Sequence, residues 1–291
     1  MILRPNLRVY LNGRMLPMAQ ARVNVFDRGL LFGDGVYETA RTYAGRPFRL
    51  KAHIERLRES ARRLDIRVPF PDSVMERAVE RTVSGNRLSS ARVRIVLTRG
   101  RGGPDLLEVR GLKPTLLVYA VPYAPPSREA YRNGVKAVIS SVVRNGRRSL
   151  DPAIKSLNLL NNFLAGRAAR QAGVREAVML NPRGFVAEAV AANVFFVRRG
   201  VLCTPSLDAG ILSGITRGIV LDLATRLGFP VREGLFRSRA LLRAEEAFVT
   251  ASTIEVLPIA SIGPRHFPFL RPYTRALQEA YRVTVAAELG I

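Results

Sequence analysis

The stretch DPAIKSLNLLNN (151–162) holds a scarce group: of 46 basic residues, only Lys51, Lys113, Lys136 and Lys155 are lysine. An arginine, with a pKa above about 12, neither attacks a carbonyl carbon nor accepts a proton near neutrality. A lysine does both once apolar surroundings depress its pKa. Ile154, Leu157, Leu159 and Leu160 offer such surroundings at the expected start of a helix over 156–171. Asn158, Asn161 and Asn162 add polar groups able to hydrogen-bond nearby. Taken alone, the stretch reads more simply as a lysine snorkelling from a helix start.

Residues further along the chain change the weighting. FVAEAVAANVFFV (185–197) sets one carboxylate, Glu188, in an otherwise uncharged run, and a buried carboxylate needs a cation or very good hydrogen bonds. LSGITRGIVLDLATRLG (212–228) puts Ser-Gly-Ile-Thr ahead of a periodic helix, whose free N–H groups form an anion site. FVTASTIEVLP (248–258) supplies a second hydroxyl-rich turn after a strand. Amine, carboxylate and phosphate-type anchors are what a pyridoxal phosphate site requires. Other chemistries have little to work with. GxSxG, P-loop, HExxH and GxGxxG motifs are absent, and the two histidines, His53 and His266, leave little room for His-based catalysis. His53 reads as a solvated or packing residue of a helix. Cys203, in VLCTP, reads as a small buried hydrophobe, and one cysteine allows neither an internal disulfide nor a CxxC-type metal site. GDG (33–35) and RGRGG (99–103) read as turns.

The elements that must carry these residues alternate between strand and helix. LRVYLNGRML (7–16) is a strand, an Asn-Gly turn and a strand, and GVYETARTY-AGRP-FRL repeats that form. Helices are expected over 51–64, 72–84, 215–227 and 273–288, with strands over 91–99, 115–122, 135–143, 176–181 and 193–198. PYAPPSREAYRNG (122–134) is the best linker candidate. This predicts two α/β domains, a smaller one over 1–122 and a larger one over 134–291, joined by 123–133. The segment MILRPNLRVYLNGRM lacks the pattern of a signal peptide, and no apolar run nears the ~20 residues of a membrane span, so a cytoplasmic protein with no membrane contact is expected. The net charge of +23 invites a nucleic-acid reading, but its arginine pairs (Arg62-Arg63, Arg147-Arg148, Arg198-Arg199) are scattered and lack interleaved aromatics. No nucleic-acid partner is expected.

Read together, NVFDRGLLFGDGVYETAR, AHIERL, IKSLN, VAEAVAANVFF, GILSGITR and TASTIEVLP resemble, in family order and over nearly the whole chain, the class IV aminotransferases. These are the fold-type IV pyridoxal-phosphate enzymes, a family that includes branched-chain and D-amino-acid aminotransferases and aminodeoxychorismate lyase. The resemblance implies a two-domain α/β fold with the active site between the domains. It also implies a homodimer in which a loop of the neighbouring subunit closes the pocket, with 101–110 the candidate loop. It implies that Lys155 forms the internal aldimine with pyridoxal 5'-phosphate and then carries the proton between substrate and cofactor. Glu188 matches the partner of the ring nitrogen, and Arg56, Ile215, Thr216 and Ser252 match the phosphate donors. Arg148 matches an arginine near the cofactor in D-amino-acid aminotransferases. Tyr37, Arg41, Arg94 and Thr253 match positions of the family's substrate pocket.

The substrate is less well marked. Branched-chain enzymes carry Gly in the stretch that here reads YETAR, and tyrosines where this chain has Leu160 and Arg92, although Arg41 and Arg94 match their pocket arginines. D-amino-acid enzymes share IKSLNLL and GDGVYE, but their Arg-x-His is replaced within TRGRGGPDLL. The lyase shares Thr39 and AAN, but its arginine after GG is Pro104 here. The resemblance therefore implies transfer of an amino group from a D- or branched-chain L-amino acid to a 2-oxo acid, with the lyase as alternative. Arg41, Arg92, Arg94 and Arg99 would suit the two carboxylates of 2-oxoglutarate. Arg92 and Arg99 have solvent as their other destination, since neighbours on a strand face opposite ways.

Overall fold

The computed structural model describes residues 6–291. Residues 1–5, where the segment read as lacking a signal peptide begins, lie outside the described residues. The chain divides into two compact units.

The first unit runs to Ala124 and also takes in Ile154–Asn158. Its strands β1 (Arg8–Leu11) and β2 (Arg14–Pro17) pair across Asn12 and Gly13, both at positive φ as a two-residue hairpin turn requires. A short helix α1 (Arg28–Phe32) follows, then β3 (Gly35–Tyr43) and β4 (Arg46–Pro47). Helices α2 (Leu50–Arg62) and α3 (Asp72–Gly85) precede β5 (Ala91–Thr98) and β6 (Thr115–Pro122). The strands form an antiparallel sheet in the order β2-β1-β6-β5-β3-β4. One face is largely apolar by alternation, with Glu38 buried among its residues: Val36 and Ala40 of β3, Val93, Ile95 and Leu97 of β5, and Leu116 and Val118 of β6. They pack on Ile54, Leu57 and Ala61 of α2 and on Met75, Val79 and Val83 of α3. The expected hairpin after β3 turns at Ala44-Gly45, and its return strand is Arg46–Pro47, short of FRL.

The second unit comprises Pro125–Ala153 and Leu159–Gly290. It opens with α4 (Arg128–Asn133), a helix inside the expected linker, with Ser127 as its N-cap. Then come β7 (Val135–Ile139), α5 (Leu160–Gln171), β8 (Glu176–Leu180), β9 (Val186–Ala189), β10 (Asn193–Arg198) and β11 (Val201–Pro205). The rest are α6 (Ile215–Arg226), β12 (Val231–Gly234), α7 (Ser238–Leu242), β13 (Glu246–Ala251), β14 (Glu255–Ile262), β15 (Arg265–His266) and α8 (Pro272–Leu289). A mixed sheet runs β12-β11-β10-β13-β14-β7-β8-β9, with β15 added on β14. Its central strands β10 and β13 are buried almost throughout, so they read as continuous apolar runs rather than alternation. Cys203 is buried and burial pushes its thiol upward, in keeping with an inert packing residue. Among the described residues no helix is long and apolar enough to cross a membrane.

Candidate active site

Lys155 does not begin a helix. Helix α5 starts only at Leu160, and Ile154–Asn158 is an irregular segment returned to the first unit. It is laced to the start of β3 by backbone bonds: Tyr37 N donates to the Lys155 carbonyl at 2.9 Å, and Leu157 N to that of Gly35 at 2.9 Å. Ser156 bridges Val36 between them. Lys155 N donates to Oγ of the buried Ser60 on α2 at 3.1 Å. The sequence at β3 fits this docking. A Cβ at Gly35 would lie 2.7 Å from Leu157 Cδ1 and 2.8 Å from the Leu97 carbonyl oxygen. Gly33, at φ +65°, leaves room for the Asn158 side chain, whose Nδ2 donates to the Gly33 carbonyl at 3.0 Å. GDG is thus the seat of the lysine segment as well as a turn. The lysine Nζ lies 4.6 Å from the Tyr37 ring centroid, and the Arg94 guanidinium carbon 3.7 Å from the same centroid.

The apolar surroundings expected of Lys155 are only partly there. Ile154 packs against the core, but Leu160 is 76% exposed. Nor do the asparagines gather at the lysine: Asn158 serves Gly33, and Asn161 and Asn162 serve a different cation in the second unit.

Behind Tyr37, on the core face of β3, sits Glu38, a carboxylate not singled out from the sequence. It is fully buried and is held by Arg56 Nε at 2.6 Å, Arg56 Nη2 at 2.8 Å and His53 Nδ1 at 2.7 Å. Burial pushes the Glu38 carboxyl upward, but the Arg56 charge, its hydrogen bonds and the hydrogen bond to His53 outweigh it and hold the carboxyl far below its usual range. Burial pushes the His53 imidazole below its ordinary value against the pull of Glu38. A neutral ring facing an ionised carboxylate carries its hydrogen on Nδ1. His53 is therefore a packing residue but not a solvated one. The signal was present: in VYETA, alternation puts Glu38 on the face of Val36 and Ala40, where an anion demands a cation. Arg56 itself is 15% exposed at its side chain.

The other face of β3 and β5 carries the arginines expected at the pocket. The register pairs Thr39 with Arg94 and Arg41 with Arg92, so these four share one face with Tyr37. Arg94 Nη1 donates to Thr39 Oγ1 at 2.9 Å, and Arg41 lies over the Tyr43 ring at 4.3 Å. Arg92 is exposed on this same face. Arg99 goes elsewhere: it is bound to Asp34 at 2.7 Å and to the Leu64 and Asp65 carbonyls at 2.7 and 2.8 Å. With each of its guanidinium nitrogens engaged in this way, it braces the first unit rather than receiving a substrate carboxylate.

In the second unit Glu188 is 5% exposed and does have its cation, Arg144, a residue that nothing in the sequence singles out. Arg144 Nε and Nη2 both lie 2.9 Å from Glu188 Oε1, and Leu212 N donates to Oε2 at 3.0 Å. Arg148 is exposed, further along the same loop. Ile215 and Thr216 open α6 behind the N-cap Gly214. Asn193 Nδ2 donates to the Leu212 carbonyl at 2.9 Å, and its Oδ1 comes within 2.0 Å of where a Cβ at Gly214 would stand, so only glycine fits. The Thr216 side chain is buried, and its Oγ1 has no hydrogen-bond partner among the described residues. A buried, unsatisfied hydroxyl beside free helix N–H groups is the donor set of a phosphate anchor. Ser252 and Thr253 lie in the turn between β13 and β14. A primary amine, a buried anion and such an anchor are the groups that pyridoxal phosphate needs, and the residues present fit it.

Residues 35–262 match the family model described as amino-transferase class IV. A Methanocaldococcus jannaschii protein provisionally assigned as a branched-chain-amino-acid aminotransferase is 42% identical over 259 residues, covering 89% of each chain. A D-alanine aminotransferase of Listeria innocua is 36% identical over 88% of each chain. The aminodeoxychorismate lyase of Bacillus subtilis is 33% identical, over 87% of this chain and 86% of its own. Among solved structures, the branched-chain aminotransferase of Thermoproteus uzoniensis with norvaline superimposes with a TM-score of 0.91 at 34% identity, over 97% of this chain and 95% of that one. The branched-chain amino acid aminotransferase of Thermobaculum terrenum, in its PLP-form, gives 0.88 at 30% identity, over 98% of this chain and 95% of that one.

Proposed function

The chain belongs to the class IV aminotransferases, and on that premise we propose how its residues carry out the transfer. It is a pyridoxal-phosphate-dependent aminotransferase of the branched-chain or D-amino-acid type. When bound, pyridoxal phosphate supplies an electrophilic carbon for an amine and a ring that withdraws electrons from the substrate's Cα. Lys155 Nζ would hold the cofactor covalently and, as a free amine beside it, would move the proton at the substrate's Cα. Arg56, the N–H of Ile215, the Thr216 hydroxyl and Ser252 bind the phosphate, while Glu188 accepts the ring N–H. Arg148 is assigned to the neighbourhood of the cofactor, where it matches an arginine of D-amino-acid aminotransferases. Tyr37 forms an aromatic wall, and Arg41, Arg94 and Thr253 receive the substrate, with 2-oxoglutarate as the amino acceptor. The reading places the enzyme in the cytoplasm, as a homodimer.

The observation that carries this reading is the docking of Ile154–Asn158 on the first unit. Three hydrogen bonds donated by backbone N–H groups and a pair of close glycines fix one lysine beside an aromatic ring, in a chain with only four lysines among its 46 basic residues. The purified holoenzyme is expected to be yellow and to lose that colour to sodium borohydride, with the reduced cofactor found on the peptide containing Lys155. Label on Lys51, Lys113 or Lys136 instead would overturn the assignment. A spectrophotometric screen of the same holoenzyme with single D- and L-amino acids identifies the donor.

A further inference from the structure

The Glu188 carboxylate is not symmetric. Oε1 accepts from Arg144 Nε and lies 2.9 Å from both Nε and Nη2, whereas Oε2, among the described residues, takes only the Leu212 N–H, at 3.0 Å. Arg144 is itself fixed: its backbone N donates to the Leu180 carbonyl at 2.8 Å, and Nη1 donates to Asn161 Oδ1 at 3.2 Å and Asn162 Oδ1 at 3.0 Å. Those two amides are locked in turn, Asn161 Nδ2 on the Val143 carbonyl at 2.8 Å and Asn162 Nδ2 on that of Val190 at 2.6 Å. Arg144 and Glu188 are 8% and 5% exposed, so neither charge is compensated by water. The neutral asparagines matter. Because they accept from Nη1 without bringing charge, the whole positive charge of the guanidinium is left to Glu188.

We propose that Arg144 is a positioning residue which, acting through Glu188, sets where the proton lies between Glu188 Oε2 and the ring nitrogen of the bound cofactor. This rests on the reading of Glu188 as the partner of that nitrogen. A hydrogen bond between a carboxylate and a pyridine nitrogen holds one proton, which sits on the nitrogen when the carboxylate is stabilised as an anion. A neighbouring guanidinium favours the anion, and burial without one favours the neutral acid. With Arg144 in place, the ring is a pyridinium and withdraws electrons. Without it, the same proton moves to Glu188 and the ring becomes a neutral pyridine held by a carboxylic acid. No proton is gained or lost; only its position changes. Arg144 also crowds Oε1 with two guanidinium nitrogens and leaves Oε2 as the more open oxygen for the ring.

The test is the 15N resonance of cofactor labelled at the ring nitrogen, bound to the intact holoenzyme. The parent should show the pyridinium position and Glu188→Gln the pyridine position. Arg144→Met should lose the pyridinium resonance for that of pyridine, whereas Arg144→Lys, which keeps the charge, should retain it. Should Arg144→Met fail to fold, Asn162→Asp serves instead. It sets a second carboxylate on the same guanidinium, divides its charge, and should move the resonance in the same direction. A residue with a merely structural role would leave the resonance of every folded variant unchanged. A pyridinium resonance retained in Arg144→Met, or in Asn162→Asp where the former does not fold, overturns the proposal. A pyridinium resonance retained in Glu188→Gln overturns the reading of Glu188 beneath it.

Discussion

Single residues decide how anions are received. On the open face of β3 and β5 the register sets Arg41 directly opposite Arg92, with Arg94 next along and no acidic side chain among these paired positions. Like charges opposed across a ladder are unfavourable, so this arrangement gains from an anion that binds between them. Arg94 is already oriented by Thr39 and by the Tyr37 ring, and Arg41 by Tyr43, which lowers the entropy lost on binding a carboxylate. Arg94→Ala and Arg41→Ala should each raise the KM for 2-oxoglutarate at least about tenfold, ~1.4 kcal/mol of lost binding. The absorbance of the bound cofactor should stay that of the parent, because neither residue belongs to its anchors. Steady-state kinetics at saturating amino donor provides the check. Variants that transaminate like the parent would remove both residues from the pocket.

At the scale of elements, the glycines of GDG seat the segment that carries Lys155. Gly35→Ala would push a methyl into Leu157 and into the backbone of β5, contacts that cannot give way without moving the lysine segment or the strand. The expected cost is about 1–3 kcal/mol of stability, together with slower attachment of cofactor to Lys155, read by thermal melting and by stopped-flow absorbance. A parental melting temperature with parental attachment would show that the docking is looser than its geometry. The same segment shows what a sequence can and cannot reveal. Strands and helices with clean periodicity, such as α2 with its buried Ile54, Leu57 and Ala61, are legible because burial imposes the period. Lys155 and Glu188 stand out in the sequence because each is the odd residue in its stretch. Their partners are not. Arg144 is one arginine in a chain full of them, and only the folded loop brings it to Glu188. Glu38 lies in a strand whose alternation points it inward, yet its cations come from α2. The sequence sets the start of α5 too early because DPAIKSLN has helix-like spacing, whereas backbone bonds to β3 claim those residues first.

For the molecule as a whole, the surface carries its own signal. The first unit exposes Val25 (66%), Leu30 (67%), Leu106 (58%) and Leu107 (85%). The segment bearing Leu106 and Leu107 is not loose. Arg28, itself buried, donates to the Asp105 carbonyl at 2.9 Å and the Leu106 carbonyl at 2.6 Å while bound to Asp34 at 2.9 Å. Burial pushes the Asp34 carboxyl upward, but hydrogen bonds and charge from Arg99 and Arg28 prevail and hold it below its usual range, so the brace is ionic at neutral pH. A rigidly held apolar tip is built to be covered, and a second copy of the chain is the partner proposed here for it. Burying one such leucine is worth about 2 kcal/mol. Counted twice across a two-fold interface, a change at this position is felt as about 4 kcal/mol, roughly a thousandfold in the dimer constant. Leu107→Asp should therefore sediment as a monomer at micromolar concentrations where the parent sediments as a dimer. Its far-ultraviolet circular dichroism should be retained, because Leu107 packs into no core of its own chain. A parent that sediments as a monomer throughout would refute the assignment of this tip to a dimer contact.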